Sequence, residues 1–326
     1  MKAYRFADKP FVFAGALLLL TLLLIVSACD SSPATSTKKP SHSFSTDSGT
    51  NISYFSGSQD VVLRVMYGGG RLGTLEFSPN ISIYGDGSYI LGPDLSMRQG
   101  QLATSTLEQL LHTLVDGDGL LKFTQQQFYD IPDQNATFLQ LNLNGSHYSF
   151  EYGPFGNLSE SAQQMDEYKR LGEALTSIQN ALTGPVHPYT GKTFTLLVHQ
   201  DFRANLSQKI PAWTLPSINL ANLSIFECGT IPQDITSPNA DTGCLTYTTP
   251  RAALLLDAQQ QSSISALFQQ QQAVFSENGL YYDAFLRPLL PDEQAQHALA
   301  MVGSDELNII SIPLHIGPVP TPVPTA

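Results

Sequence analysis

The sequence predicts an α+β fold, antiparallel sheet with packed helices, arranged in two halves of similar size. Three observations predict it. Two tight-turn signals, Gly85-Asp86-Gly87 and Asn144-Gly145, each sit between short strand-like runs, as hairpins require. Two segments, Leu107–Val115 and Met165–Leu182, carry apolar residues three and four apart, as helices with one buried face do. In the first half these elements follow one another as β-β-β-α-β-β-α, with strands in consecutive groups, which describes an antiparallel sheet with helices laid on it.

The order of elements begins with a targeting segment. Lys2, Arg5 and Lys9 precede an uncharged apolar run, Phe11 to Val26, and small residues Ser27 and Ala28 follow. A basic start, a short apolar stretch and a small-residue cleavage site make a secretory signal, too short for a spanning helix. The ending Val26-Ser27-Ala28-Cys29 resembles the lipobox of bacterial lipoproteins. That resemblance implies removal of residues 1–28, diacylglyceryl attachment at the Cys29 sulfur, and a protein held on the cytoplasmic membrane facing outward. The alternative is an uncleaved N-terminal anchor. Residues 29–58, rich in Ser, Thr, Asp, Gly and Pro, read as a flexible tether.

Half one is expected over 59–186. Val61–Tyr67 is a strand. Ile81–Tyr84 and Ser88–Leu91 form the first hairpin, because Asp-Gly accepts the positive φ of a tight turn. Ser105 and Glu108 suggest a capping box opening a helix that Gly117 stops. Phe138–Leu143 and His147–Tyr152 form a second hairpin, with Leu139, Leu141 and Leu143 on an apolar face and Gln140, Asn142, His147 and Ser149 on a polar one. A helix over about 159–182 ends at Gly184-Pro185.

Half two is expected over 187–316. It opens with a strand at Thr193–Asp201; Trp213–Phe226 is irregular and apolar. Cys244–Thr248 reads as a strand, and Thr249-Pro250 as the start of a helix through Ala252–Leu256 that breaks near Ser262-Ser263. Strands follow at Leu280–Arg287 and Leu307–Ile316, and 317–326 is a disordered Pro/Thr tail.

Charge excludes one class of partner. The net charge is −12, and loss of Lys2, Arg5, Lys9 and Asp8 with the signal takes it to −14. An acidic surface repels phosphate backbones, so nucleic acid is not an expected partner. Beyond Cys29 the cysteines are Cys228 and Cys244. In an exported chain an even pair suggests a disulfide, which across so short a loop stabilises by about 3 kcal/mol. Two thiols, or a metal site lacking the usual ligand spacing, are the alternatives.

Chemical motifs are few. Ser36-Thr37-Lys38-Lys39 matches S-x-x-K, but inside a tether. Gly68-Gly69-Gly70-Arg71-Leu72-Gly73 matches G-x-G-x-x-G, yet an extended Thr74–Pro79 follows where a nucleotide site needs a helix. Asp116-Gly117-Asp118-Gly119 lacks the remaining ligands of a calcium loop and reads as a helix-ending turn. His199 and Asp201 share one strand face and suit surface polarity better than a metal or acid–base pair. Arg287, with Asp292 and Glu293 close by, reads as an internal ion pair fixing a turn. No catalytic residue, metal ligand or cofactor site is therefore assigned.

Pro79-Asn80-Ile81-Ser82-Ile83-Tyr84-Gly85-Asp86-Gly87-Ser88-Tyr89-Ile90 and Arg287-Pro288-Leu289-Leu290-Pro291-Asp292-Glu293, together with the lipobox, resemble a group of exported bacterial lipoproteins, met mainly in actinobacteria and Chloroflexi. The resemblance spans roughly 61–293 and implies architecture and address, with no activity attached. The expected function is a membrane-tethered, non-enzymatic module binding an envelope protein or ligand. The alternatives are a solute-binding lipoprotein of a transporter and an envelope hydrolase using dispersed carboxylates.

Overall fold

The structure, a computed structural model, describes residues 44–46, 52–69, 74–76, 78–92, 97–129, 131, 135–155, 161–191, 193–200, 209–223, 253–268, 272–293, 297–303 and 307–316. All lie in His42–Ala326, the second of two units into which the chain divides. Cys29, Cys228, Cys244, the Cys244–Thr248 strand and the Pro/Thr tail lie outside the described residues.

The fold is α+β. Strands β1 (Phe44–Thr46) and β2 (Ser53–Phe55) pair antiparallel. Of the tether expected over 29–58, the described residues 44–46 and 53–55 are instead strand. Ile52 and Tyr54 are buried in the first core, and Asn144 of the second hairpin accepts from the Ser53 amide at 2.8 Å.

Sheet one contains β3 (Val61–Gly69), β5 (Ile81–Tyr84), β6 (Ser88–Leu91), β7 (Arg98–Gln101), β8 (Gln127–Phe128), β9 (Asn135–Leu143), β10 (Ser146–Tyr152) and β11 (His187–Pro188). Their order is β11-β7-β6-β5-β3-β9-β10-β8. Every neighbouring pair is antiparallel except β10 with β8. In the first hairpin Gly87 has φ 84°. Gly85 is required for another reason: a Cβ there would stand 1.8 Å from the Phe55 carbonyl oxygen.

Helices α1 (Thr104–His112) and α2 (Ala162–Ala181) cover one face of this sheet. Leu107, Leu110, Leu111, Leu171, Ala174 and Ile178 pack against Leu63, Ile83, Leu139, Leu141 and Phe150 in one apolar core. The capping box sits on the other helix from the one expected. α1 begins at Thr104 after Ala103, whose side chain cannot cap, so Ser105 falls inside the first turn. α2 opens on a full box, Ser161 with Gln164.

Sheet two contains β4 (Thr74–Glu76), β12 (Phe194–Gln200), β13 (Ala253–Leu256), β14 (Gln272–Glu277), β15 (Leu280–Pro288), β16 (His297–Gly303) and β17 (Leu307–Ile316), ordered β14-β15-β12-β13-β17-β16-β4. The short α3 (Leu220–Leu223) and α4 (Ala258–Ser265) pack on it: Leu220, Leu223 and Ile264 join Leu196, Val198, Leu254, Phe275 and Tyr282. Each sheet takes a strand from the other stretch of sequence, β4 (74–76) entering sheet two and β11 (187–188) entering sheet one. The helix expected through Ala252–Leu256 is the strand β13; α4 starts after it, capped by Asp257 and Gln260, and runs through Ser262 and Ser263 without a break. A hairpin unmarked by the sequence reading joins β14 to β15 through Asn278 and Gly279, both at positive φ.

Candidate functional site

The second face of sheet one carries buried polar residues. Arg64 on β3 and Ser82 and Tyr84 on β5 point away from the helices, since their neighbours Leu63, Val65 and Ile83 fill the helix-side core. The turn after β15 lies over them. Arg64 Nη2 donates to Asp292 Oδ2 at 2.8 Å and Arg64 Nε to Ser82 Oγ at 3.2 Å. The Tyr84 hydroxyl donates to the other Asp292 oxygen at 2.9 Å. One residue on, Glu293 accepts from both ends of the Arg287 guanidinium and from the Leu290 amide, all buried. The Tyr189 hydroxyl donates to the Leu289 carbonyl at 2.6 Å. Tyr84, Ile90, Met97 and Leu290 form a small apolar core beneath.

Electrostatics follow from this packing. Burial pulls the Arg64 guanidinium down, but Asp292 and Tyr84 beside it more than reverse that, leaving it above its ordinary value. Burial, reinforced by the Asp292 charge, holds Tyr84 well above the usual phenol range, and burial with Glu293 pushes Tyr189 up to about 12. These groups are locked in one protonation state and one geometry. The Arg287–Glu293 turn clamp read from the sequence is present, and Asp292 extends it into a latch onto sheet one.

His199 on β12 stands opposite Asp283 of β15, with Nε2 3.9 Å from Oδ2; Asp201 lies outside the described residues. Gly68 and Gly69 end β3, and β4 continues the chain in extended form. The Asp116–Gly119 segment ends α1 through a wide turn, with His112 Nδ1 2.9 Å from Asp116 Oδ2. Asp118 is buried with one oxygen lacking any hydrogen bond; burial and nearby Glu173 raise its carboxyl, against Arg170. Among the described residues, no three His, Cys, Asp or Glu side chains are grouped to hold a metal, and no helix is long and apolar enough to cross a membrane.

A half-open groove of about 710 Å³ lies where β8 leaves β10. β8 pairs only with Glu151 and Tyr152, through Glu151 N to Gln126 O and Gly153 N to Phe128 O. The remaining edge of β10, Ser146–Phe150, has β9 on one side and no strand on the other among the described residues. Thr124–Gln127 forms the opposite wall. That wall is anchored from below, where the Thr124 amide and hydroxyl donate to the buried Glu167 carboxylate at 3.1–3.2 Å. Gln140, Ser149, Glu151 and His147 line the floor. Gln140 is only 6% exposed. A second, smaller cleft of about 370 Å³ holds Asp60 and Asp292. Both Asp292 oxygens accept hydrogen bonds there, and Asp60 accepts from the Gly57 amide.

The sequence reading named the polar face of the second hairpin but took it as the outer side of a one-sided sheet. Gln140 and Glu151 are instead buried, and Arg64, opposite Gln140 on the adjacent strand β3, carries the latch. No protein-family model matches the chain, and no curated protein matches it.

Proposed function

We propose that the chain is a membrane-tethered extracytoplasmic binding module, anchored through a lipid on Cys29 and braced by a Cys228–Cys244 disulfide. It would belong with the exported lipoproteins that its lipobox, Tyr-Gly-Asp-Gly hairpin and Arg-Pro-Leu-Leu-Pro-Asp-Glu segment resemble. The observation that carries the binding reading is the polar groove beside β10. Its lining offers amide, hydroxyl, imidazole and carboxylate groups around a partly open cavity, the composition of a recognition surface. The strongly placed charges, by contrast, neutralise one another inside the fold. Asp60 and Asp292 share a cleft, but Asp292 is held by Arg64 and Tyr84 rather than poised to exchange a proton, which weighs against a carboxylate hydrolase.

Fractionation tests the address. Wild-type protein is expected in the membrane pellet and digestible by protease added to intact cells. Cys29→Ala is expected to lose lipid and leave the pellet for the aqueous phase or remain as uncleaved precursor. Wild-type protein found in the cytosol and shielded from protease contradicts the reading.

A further inference from the structure

We propose that the groove beside β10 takes an extended peptide, which adds to sheet one as a strand between β10 and the Thr124–Gln127 wall; this deepens the binding-module reading and rests on it for the source of the peptide. The amides of Glu151 and Gly153 point toward β8. In a strand paired antiparallel to β9, alternate residues repeat that direction, so the N–H and C=O of His147 and Ser149 point into the groove. Neither residue has a described partner for those groups. Unpaired edge groups of this kind are a template for strand addition.

The faces on either side set the peptide's chemistry. Toward the polar face stand Gln140, Ser149 and Glu151, so polar side chains of the peptide that point this way meet amide, hydroxyl and carboxylate groups. Toward the helix side stand Tyr148 and Phe123, both partly buried against the first core. A peptide alternating polar with apolar residues satisfies both. In a protein of net charge −12, with Glu151 in the groove, Lys is favoured among the polar positions over Asp or Glu. The open edge spans Ser146–Phe150, about 17 Å of strand, room for five residues. A second folded copy does not fit: its own β10 edge is flanked by the same Thr124–Gln127 wall, whereas a single strand has no such wall to accommodate.

The test uses the full chain and a pool of acetylated heptapeptides alternating Lys, Ser, Thr or Gln with Val, Ile or Tyr. Deuterium exchange at the His147 and Ser149 amides is expected to slow about tenfold or more with pool members that bind. N-methylation of a bound member at alternate residues is expected to weaken it about tenfold in one register and little in the other, because only one set of amides faces β10. Ser149→Pro removes one groove-facing donor without touching the β9 ladder, so binding is expected to drop comparably with the circular dichroism unchanged. If that variant unfolds, the N-methylated pair on the wild-type chain decides alone. Absence of protection by any pool member overturns the proposal, as does binding indifferent to N-methylation register. Protection by cell-wall glycan fragments and not by peptides also overturns it, and assigns the groove to polysaccharide. The address is tested separately: peptide binding by a chain that is not lipid-anchored leaves strand addition standing and fails only the membrane reading.

Discussion

Asp292 is the residue on which two buried donors depend. Its carboxylate takes Arg64 on one oxygen and Tyr84 on the other, from a turn far away in sequence. Asp292→Ala leaves a buried guanidinium unpaired and is expected to destabilise by about 3–5 kcal/mol. The double replacement Arg64→Met with Asp292→Leu removes both charges and should recover most of that loss. Urea unfolding of the three variants checks both, and a loss below about 1 kcal/mol for Asp292→Ala would mean the latch is open to water. Asp118 gives the opposite sign. Its carboxyl is raised by burial, so the folded state resists its ionisation, and stability falls as pH rises above the ordinary Asp range through the raised value. Asp118→Asn is therefore expected to stabilise at pH 7, with the gain fading as the pH falls through the raised value and gone below the ordinary Asp range. At the alkaline end, Tyr189 at about 12 and Tyr84, held well above the usual phenol range, make the fold lose stability as pH rises from about 10 toward 12. Tyr189→Phe should shift that alkaline transition upward, read by tyrosinate absorbance against circular dichroism.

At the scale of elements, what the sequence made legible was local. Gly87, Asn144 and Gly145 take positive φ at the Asp-Gly and Asn-Gly turns, so the two tight hairpins β5–β6 and β9–β10 were found with their flanking strands. Leu171, Ala174 and Ile178 recur at helical spacing, so α2 was found within a few residues. Ala253–Leu256 was misread because a short apolar run looks the same in a buried strand and a buried helix; Asp257 with Gln260, a capping box, marks where the helix does start. Asp257→Ala is expected to cost about 1 kcal/mol in thermal unfolding. No effect would mean that Ile264's packing alone holds α4. β7, Arg98-Gln99-Gly100-Gln101, has no apolar alternation and was missed; it is held by its backbone ladder to β6. The groove was not legible because it arises from a non-local event, the departure of β8 from β10 after two residues. His147 and Ser149 were visible as the polar half of a hairpin, but not that their backbone groups face an open edge.

In the proposed reading the whole molecule is an α+β body with its address in the N-terminal segment. In the body, the Arg287–Glu293 turn ties sheet two's β15 to the polar face of sheet one, so a ligand in the β10 groove would sit on a braced sheet rather than a loop. A net charge of −12 disfavours a nucleic-acid partner, and the proposed lipid at Cys29 would keep the groove outside the cytoplasm. The measurement that tests this central claim most directly is the intact mass of the protein from its own membranes, before and after reduction. A chain beginning at Cys29, carrying a diacylglyceryl group and gaining two hydrogens on reduction, is the result expected from the lipid anchor and the Cys228–Cys244 bridge together. A full-length chain without lipid, unchanged by reductant, would contradict both.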